Sequence, residues 1–151
     1  MPNDVIQNHF AAADELAFDA AMNTIETLLM ARLRNLSEDE NNQYGVIDEK
    51  NKGLVNKVKD YNDSQPALST PDVNWVEYND DYFDRRFLET RSNRLNALAK
   101  MMTETRRLHD YDNYQAALID YAHTQYKNRL SPGSGYDTKE AELKQFFPAA
   151  H

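Results

Sequence analysis

Two side chains with metal-binding chemistry, Asp120 and His123, lie three residues apart in the chain. On a helix this spacing brings a carboxylate and an imidazole to one face, as in helical bundles that hold two metal ions. Such a site also needs a second acid-x-x-His pair and acids on two further helices, and the sequence has no second pair. We therefore expect a solvated helix face here, with no bound metal and no other cofactor.

Side chains that could act as nucleophiles or bind phosphate lack the surroundings that catalysis requires. No serine lies in a Gly-x-Ser-x-Gly turn. The chain has no cysteine, which removes thiolate catalysis, disulfides and cysteine-based zinc sites. Residues 131–135 are rich in glycine and serine, but they follow a predicted helix, which is typical of a helix end and not of a phosphate loop. The sequence predicts a protein that is not an enzyme.

A cluster of cations is the clearest indication of a binding surface. Between residues 81 and 108, seven cations stand against four acids, and arginine outnumbers lysine six to one. The planar guanidinium suits fixed carboxylate or phosphate partners. The candidate interaction residues of this arginine cluster are Arg85, Arg86, Arg91, Arg94, Arg106 and Arg107. Three alternatives stay open: a solvated face bridged to the chain's own acidic half, which is favoured, docking onto an acidic protein or another copy, and contact with nucleic acid, which is the least favoured.

Aromatic side chains supply a second candidate contact surface. The chain has nine tyrosines, six phenylalanines and one tryptophan, and tyrosine is enriched where an interface is apolar in the centre and wet at the rim. Trp75 and Tyr78 precede a predicted helix, and we expect Trp75 to pin its loop to a surface. Near the end of the chain, Phe146 and Phe147 are followed by Pro148. We expect this motif to form either a lid on the helices or a docking peptide.

The net charge of −8 is distributed unevenly. Residues 1–80 carry 15 acids against 6 bases, a balance of −9, whereas residues 81–151 carry 10 against 11, a balance of +1. Because phosphate neutralisation needs clustered Lys and Arg, the acidic half is unsuited to nonspecific nucleic-acid binding. The same asymmetry permits a head-to-tail contact between the acidic half of one copy and the arginine cluster of another.

Helices must position these residues. From Asp4 to Leu36 the bulky apolar residues recur at intervals of three and four, which predicts a first helix of about 33 residues. The members of that stripe are Phe18, Met22, Ile25, Leu29, Leu33 and Leu36. Ser37, with Glu40 three residues later, has the pattern of a capping box that begins a new element. A weaker second helix is predicted over about 46–61, and a proline-containing loop over 62–80.

The third predicted helix is long and extends from residue 80 or 81 to about 108. Leu88, Leu95 and Met102 lie seven residues apart on it, as in helices that pair with another helix. Asp110 or Asp112 is expected to cap a fourth helix that runs to about 130, and a short helix is expected over 137–147.

No segment shows sustained alternation of apolar and polar residues, so the predicted fold class is all-α. We expect an elongated helical bundle or hairpin of three long helices plus a weaker one, with the long proline-containing loop between the second and third. Residues 1–130 would form one helical domain that includes the loop at 62–80. Residues 131–151 would form a turn and a short helical tail.

These observations predict a non-catalytic structural or adaptor protein that acts through protein–protein contacts in a larger assembly. Its partners would be another protein or other copies of itself, and its layout is similar to that of small helical components of virus particles or secretion appendages. An acidic inhibitor or nucleic-acid mimic that occupies a basic groove of its target is the alternative. A metal enzyme that works through Asp120 and His123 is a third, less favoured class.

The sequence also indicates where the protein acts. Its longest apolar runs are only four residues, far short of the roughly 18 or more that span a bilayer, so we expect no membrane contact. The N-terminus lacks a basic flank and an apolar segment, so we expect no signal peptide. The protein is therefore expected in the cytoplasm or incorporated in a macromolecular assembly.

Overall fold

The computed structural model of the chain describes residues 4–45, 47 and 49–148, and over these residues the fold is all-α, which confirms the predicted class. No strand occurs within these ranges. The elements in chain order are α1 (Ala12–Met30), α2 (Glu38–Tyr44), α3 (Glu49–Ser64), a 3₁₀ turn (Pro66–Leu68), α4 (Trp75–Leu130) and α5 (Tyr136–Lys144). The predicted start of the weaker helix, at residue 46, lies outside the described residues.

The first helix, α1, has 19 residues, so the prediction of about 33 is wrong at both ends. At its start, the backbone N–H of Ala11 donates a hydrogen bond to the Asp14 carboxylate at 3.0 Å, which caps the helix inside the predicted segment. At its end, the Arg32 guanidinium donates to the carbonyl of Leu28 at 3.0 Å. Side chains within the segment therefore satisfy the helix ends, and the chain before residue 12 is free to follow another path.

Ser37 and Glu40 form the predicted capping box. The N–H of Glu40 donates to the Ser37 hydroxyl oxygen at 3.2 Å, and the N–H of Ser37 donates to the Glu40 carboxylate at 2.9 Å. Helix α2, with 7 residues, begins there. No helix was predicted over these residues because α2 is almost entirely polar and so has no apolar periodicity. The weaker helix predicted next is present as α3, with 16 residues.

The loop between α3 and α4 is shorter than the predicted 62–80. It spans residues 65–74, since α3 continues to Ser64 and α4 begins at Trp75. Asn74 caps α4, because its side-chain oxygen accepts the N–H groups of Val76 and Glu77 at 3.2 and 3.3 Å. The proline-containing loop is therefore a tight connection between two consecutive helices.

Helix α4 is one continuous helix of 56 residues, where two helices were predicted. Its sequence contains no proline and no glycine. The two acids expected to begin a fourth helix make other contacts. Asp110 lies 3.8 Å from the Arg106 guanidinium. Asp112 accepts hydrogen bonds from the backbone N–H groups of Val5 and Ile6. The predicted break is wrong because an acid inside a helix can bind a distant segment, which local sequence does not reveal.

The chain forms two compact units, one of residues 10–92 and one that joins residues 4–9 to residues 93–148. Helix α4 contributes residues to both. In the first unit, α3 packs against the 3₁₀ turn and the start of α4. In the second, residues 4–9 lie beside α4, and α5 folds back onto it.

The described chain buries no apolar residue. Lys59 and Thr124, which are 7% and 0% exposed, are the buried residues within the described ranges. The accessible surface is 13123 Å² for a chain of 17.5 kDa. Since the chain forms two compact units, the reference is a pair of compact proteins with half of this mass each, which would together expose only about 9,500 Å². The isolated chain thus leaves a large apolar surface without cover.

Candidate interaction surfaces

Each of residues 86–104 in the middle of α4 is exposed, and contacts with α3 reach only the beginning of this stretch, where Glu89 lies 3.9 Å from Lys52. Leu88, Leu95, Leu98 and Met102, here called the α4 stripe, are spaced by three, four and seven residues, which places them on one helix face. Their exposed fractions lie between 42% and 55%. Burial of one such side chain contributes about 1.5 to 3 kcal/mol. The α4 stripe is therefore an apolar face that stays largely accessible, although Leu88 also lines a groove with Leu36 and Tyr44.

Arg85, one member of the arginine cluster, is used inside the first unit. Its guanidinium donates a hydrogen bond to the side-chain oxygen of Asn56 on α3 at 3.0 Å and lies 5.3 Å from the centre of the Tyr82 ring. Arg85 is half-buried, and these contacts hold α3 against α4. Its place is therefore within the fold of this unit.

The other members of the arginine cluster are exposed along α4. Arg91 lies 4.6 Å above the Phe87 ring and donates to the Thr90 hydroxyl. Arg106 faces Asp110 of the same helix. Over the described residues, Arg86, Arg94 and Arg107 form no ion pair.

The acids of the first unit do not pair with the arginines of the same unit. Among residues 10–45, 47 and 49–92, no carboxylate forms an ion pair with Arg85, Arg86 or Arg91. Helix α1 carries four acids and no base, and all four are exposed: Asp14, Glu15, Asp19 and Glu26. Arg106 pairs with Asp110 of its own helix, and the four acids of α1 form no ion pair within the first unit.

Trp75 and Tyr78 are brought together in the first unit, with ring centres 5.2 Å apart. The Trp75 indole N–H donates to the carbonyl of Thr70 at 2.8 Å, so it ties the loop to the start of α4. The Tyr78 hydroxyl donates to the carbonyl of Val55 on α3 at 2.7 Å. Burial, with a smaller contribution from the neighbouring Tyr82, raises the pKa of Tyr78 above its ordinary value. Both candidates therefore serve the contact between α3, the loop and α4.

Lys59 is a buried charged residue that no predicted site included. Its ammonium lies 2.5 Å from both carboxylate oxygens of Asp63 and 5.4 to 5.7 Å from the centres of the Phe83 and Tyr82 rings. This arrangement combines an ion pair with cation–π contacts to the next helix. The spacing of four residues between Lys59 and Asp63 on one helix could have indicated the ion pair. The contact with the two rings could not be predicted in this way, because the rings belong to a different helix, α4.

An open groove of about 830 Å³ lies in the first unit. Its apolar lining comes from Leu36, Tyr44 and Leu88, and its charged lining has both signs: Lys52, Asp81, Asp84, Arg85 and Glu89. The hydrogen bond and charge of Glu49, 2.8 Å away, raise the pKa of Lys52. Because the charges alternate in sign, the groove presents no single charge to a ligand.

The pair that could have bound a metal helps to dock α5. The Asp120 carboxylate lies 2.6 Å from the Lys139 ammonium, and the His123 ring meets the Tyr136 ring edge-to-face at 6.3 Å. Within the described ranges, no three acidic or histidine side chains gather into a cation site.

The two phenylalanines near the end of the chain have different surroundings. The Phe147 ring stacks on Tyr121 with centres 4.6 Å apart and planes at 17°, as in a lid. Phe146 is 79% exposed. The structure thus divides the motif between a packed ring and a ring available for contact.

None of the helices in the described part of the chain is both long and apolar enough to cross a bilayer. Comparisons with protein-family models, with known protein sequences and with solved structures each found no match. The function must therefore be inferred from the surfaces themselves.

Proposed function

We propose that this chain is a non-catalytic structural or adaptor protein that acts through protein–protein contacts in a larger assembly. The observation that carries the proposal is that the described residues bury no apolar side chain while 30 large apolar side chains are exposed. Monomeric proteins rarely expose contiguous apolar patches of more than a few hundred Å². An amphipathic helix is stabilised chiefly by packing its apolar face, so helices such as α1 and α4 need cover from other chains.

The helical bundle expected from the sequence would then be completed between chains. Helix α1 and the middle of α4 each present apolar residues at helical spacing, and α1 has no buried residue. Neighbouring helices in the assembly would supply the opposite faces. The arginines of α4 and the acids of α1 would select which faces meet, because charge complementarity favours one pairing over others.

The contacts of the side chains that are capable of chemistry also favour a structural role. Asp120 pairs with Lys139, and His123 packs against Tyr136, so both contribute to the docking of α5. Both side chains are exposed, and their contacts are with side chains of α5.

Light scattering during size-exclusion chromatography of the full chain, over a wide range of concentrations, tests the proposal. We expect a mass that is a multiple of 17.5 kDa and an unfolding midpoint that rises with concentration, because association stabilises the folded chain by mass action. A monomer at every concentration, with a sharp unfolding transition independent of concentration, would contradict it. If that monomer bound a basic protein with an affinity that collapses in salt, the acidic mimic would be favoured instead.

A further inference from the structure

We propose that α1 of one copy packs against the α4 stripe of a second copy, in a head-to-tail contact between identical chains. This inference rests on the proposed function and specifies that the partner is a second copy of the chain. Two helix faces carry it, an exposed one on α4 and a partly exposed one on α1, and they match in length and apolar pattern and carry opposite charge.

The first face belongs to α1. Phe18, Met22, Ile25 and Leu29, here called the α1 stripe, follow one another at intervals of four, three and four, so they lie on one side of the helix. Phe18 and Ile25 are exposed, at 50% and 36%, whereas Met22 and Leu29 are half-buried. Asp19 and Glu26 lie three residues before and four residues after Met22, which places carboxylates along the edge of this stripe.

The second face is the α4 stripe with its arginines. Arg91 lies three residues after Leu88, and Arg94 lies four residues before Leu98, so both guanidinium groups share the apolar face. The stretch that carries them, residues 86–104, is exposed throughout. Arginine suits this position because its stem covers apolar surface while its planar head binds carboxylate in two-pronged geometry.

The two faces match in length and oppose each other in charge. Helix α1 and the exposed stretch of α4 both have 19 residues. Each is therefore about 28 Å long at 1.5 Å per residue. α1 carries four acids and no base, whereas residues 86–104 carry four bases, Arg86, Arg91, Arg94 and Lys100, against two acids. Pairing α1 with α1, or α4 with α4, would bring like charges together, which disfavours a symmetric contact between identical faces.

The uncovered area is large enough for such contacts. The chain exposes 13123 Å². That is roughly 3,600 Å² more than two compact particles of half its mass would expose. A head-to-tail contact uses two different faces of each copy, and a stable interface buries about 800 Å² on each partner. Both faces together need about 1,600 Å² per copy. A contact of this kind builds a ring or an open filament.

Two variants of the full chain test the inference. The first carries Arg91→Glu with Arg94→Glu and keeps α1 intact. The second carries Met22→Glu with Ile25→Glu and keeps α4 intact, and glutamate retains helix propensity. A matched control carries Lys50→Glu with Arg129→Glu, which makes the same change of charge at two exposed cations outside the arginine cluster. Circular dichroism confirms that each variant remains helical.

We expect each of the first two variants to lose self-association, with a dissociation constant raised by more than about tenfold, and the control to assemble like the wild type. Mixed in equal amounts, the two variants should form a dimer and no larger assembly. Only α1 of the first variant and α4 of the second can still bind, so one contact forms and no further chain can add. Assembly of either variant alone would overturn the inference while leaving the proposed function in place. A wild-type chain that stays monomeric at every concentration would overturn both.

Discussion

The carboxylate of Asp112 accepts the backbone N–H of Val5 at 3.1 Å, which ties the start of the chain to the second half of α4. The N–H of Ile6 donates to the same carboxylate at 3.2 Å. Nearby, the His9 and His109 rings lie 5.7 Å apart. One acid in the interior of a helix thus determines the path of residues 4–9 and leaves α4 unbroken.

Replacing Asp112 by Asn should release residues 4–9. The amide keeps one acceptor oxygen but loses the charge that strengthens these hydrogen bonds, so we expect a local loss of about 1 kcal/mol. Amide hydrogen exchange at Val5 and Ile6 should accelerate roughly fivefold. Asp110→Asn is the control, because Asp110 faces only the exposed Arg106 at 3.8 Å. Equal exchange in the two variants would show that Asp112 does not hold this segment.

The continuity of α4 predicts the effect of proline at position 111. In an unbroken helix, Tyr111→Pro removes a backbone hydrogen bond and clashes with the preceding turn, at a cost of about 3 kcal/mol. If a new helix began at Asp110, residue 111 would be its first position, where proline is tolerated. Denaturant unfolding followed by circular dichroism measures the difference, with Tyr111→Ala as the control. A proline variant as stable as the alanine variant would mean that α4 is two helices.

The raised pKa of Tyr78 predicts a loss of stability in alkaline solution. Burial favours the neutral phenol in the folded chain, so the folded state keeps a proton that the unfolded chain releases above about pH 10. The contribution of Tyr78 is therefore complete below that pH and declines as the pH rises through the folded-state pKa.

Chemical unfolding at increasing pH, with wild type and Tyr78→Phe compared, measures this contribution. The phenylalanine variant should lose about 1 kcal/mol at neutral pH, where the hydrogen bond to Val55 is absent, and should show a smaller alkaline decline. Tyr114→Phe is the control, since Tyr114 is exposed. An alkaline decline of the same size in Tyr78→Phe would contradict the assignment.

The stacking of Phe147 on Tyr121 predicts that the end of the chain contributes to stability. Phe147→Ala should lower the free energy of unfolding by about 1 to 2 kcal/mol, because it removes a stacked aromatic contact and the apolar area that goes with it. Phe146→Ala, at an exposed ring, should change it by less than about 0.5 kcal/mol. Thermal unfolding of both variants distinguishes them, and the opposite order of effects would refute the lid.

Features determined by neighbouring residues could be predicted from the sequence. The capping box of Ser37 and Glu40 is an example, because both hydrogen bonds join residues three apart. The helical class follows in the same way from apolar spacing. The break expected near Asp110 could not be judged locally, because the partner of Asp112 lies 107 residues away in the chain.

In the candidate surfaces, too, local features could be predicted from the sequence and contacts between helices could not. The positions of Arg91 and Arg94 on one face with the α4 stripe follow from spacing alone. The contact of Arg85 with Asn56, and the position of Lys59 between two rings of α4, depend on how α3 meets α4. The periodicity of the sequence does not determine how α3 and α4 pack against each other. An arginine that makes contacts within the fold therefore cannot be distinguished by sequence from an exposed arginine.

Hydroxyl-radical footprinting of Met102 as a function of protein concentration tests most directly whether the exposed apolar face of α4 is a contact surface. Met102 belongs to the α4 stripe and is exposed in the single chain, so its thioether should oxidise readily in dilute solution. We predict that its oxidation slows by at least about threefold as the chain associates, because burial restricts access, while oxidation of the exposed Tyr114 stays constant. Equal oxidation of Met102 at every concentration, in a sample that associates, would contradict the account.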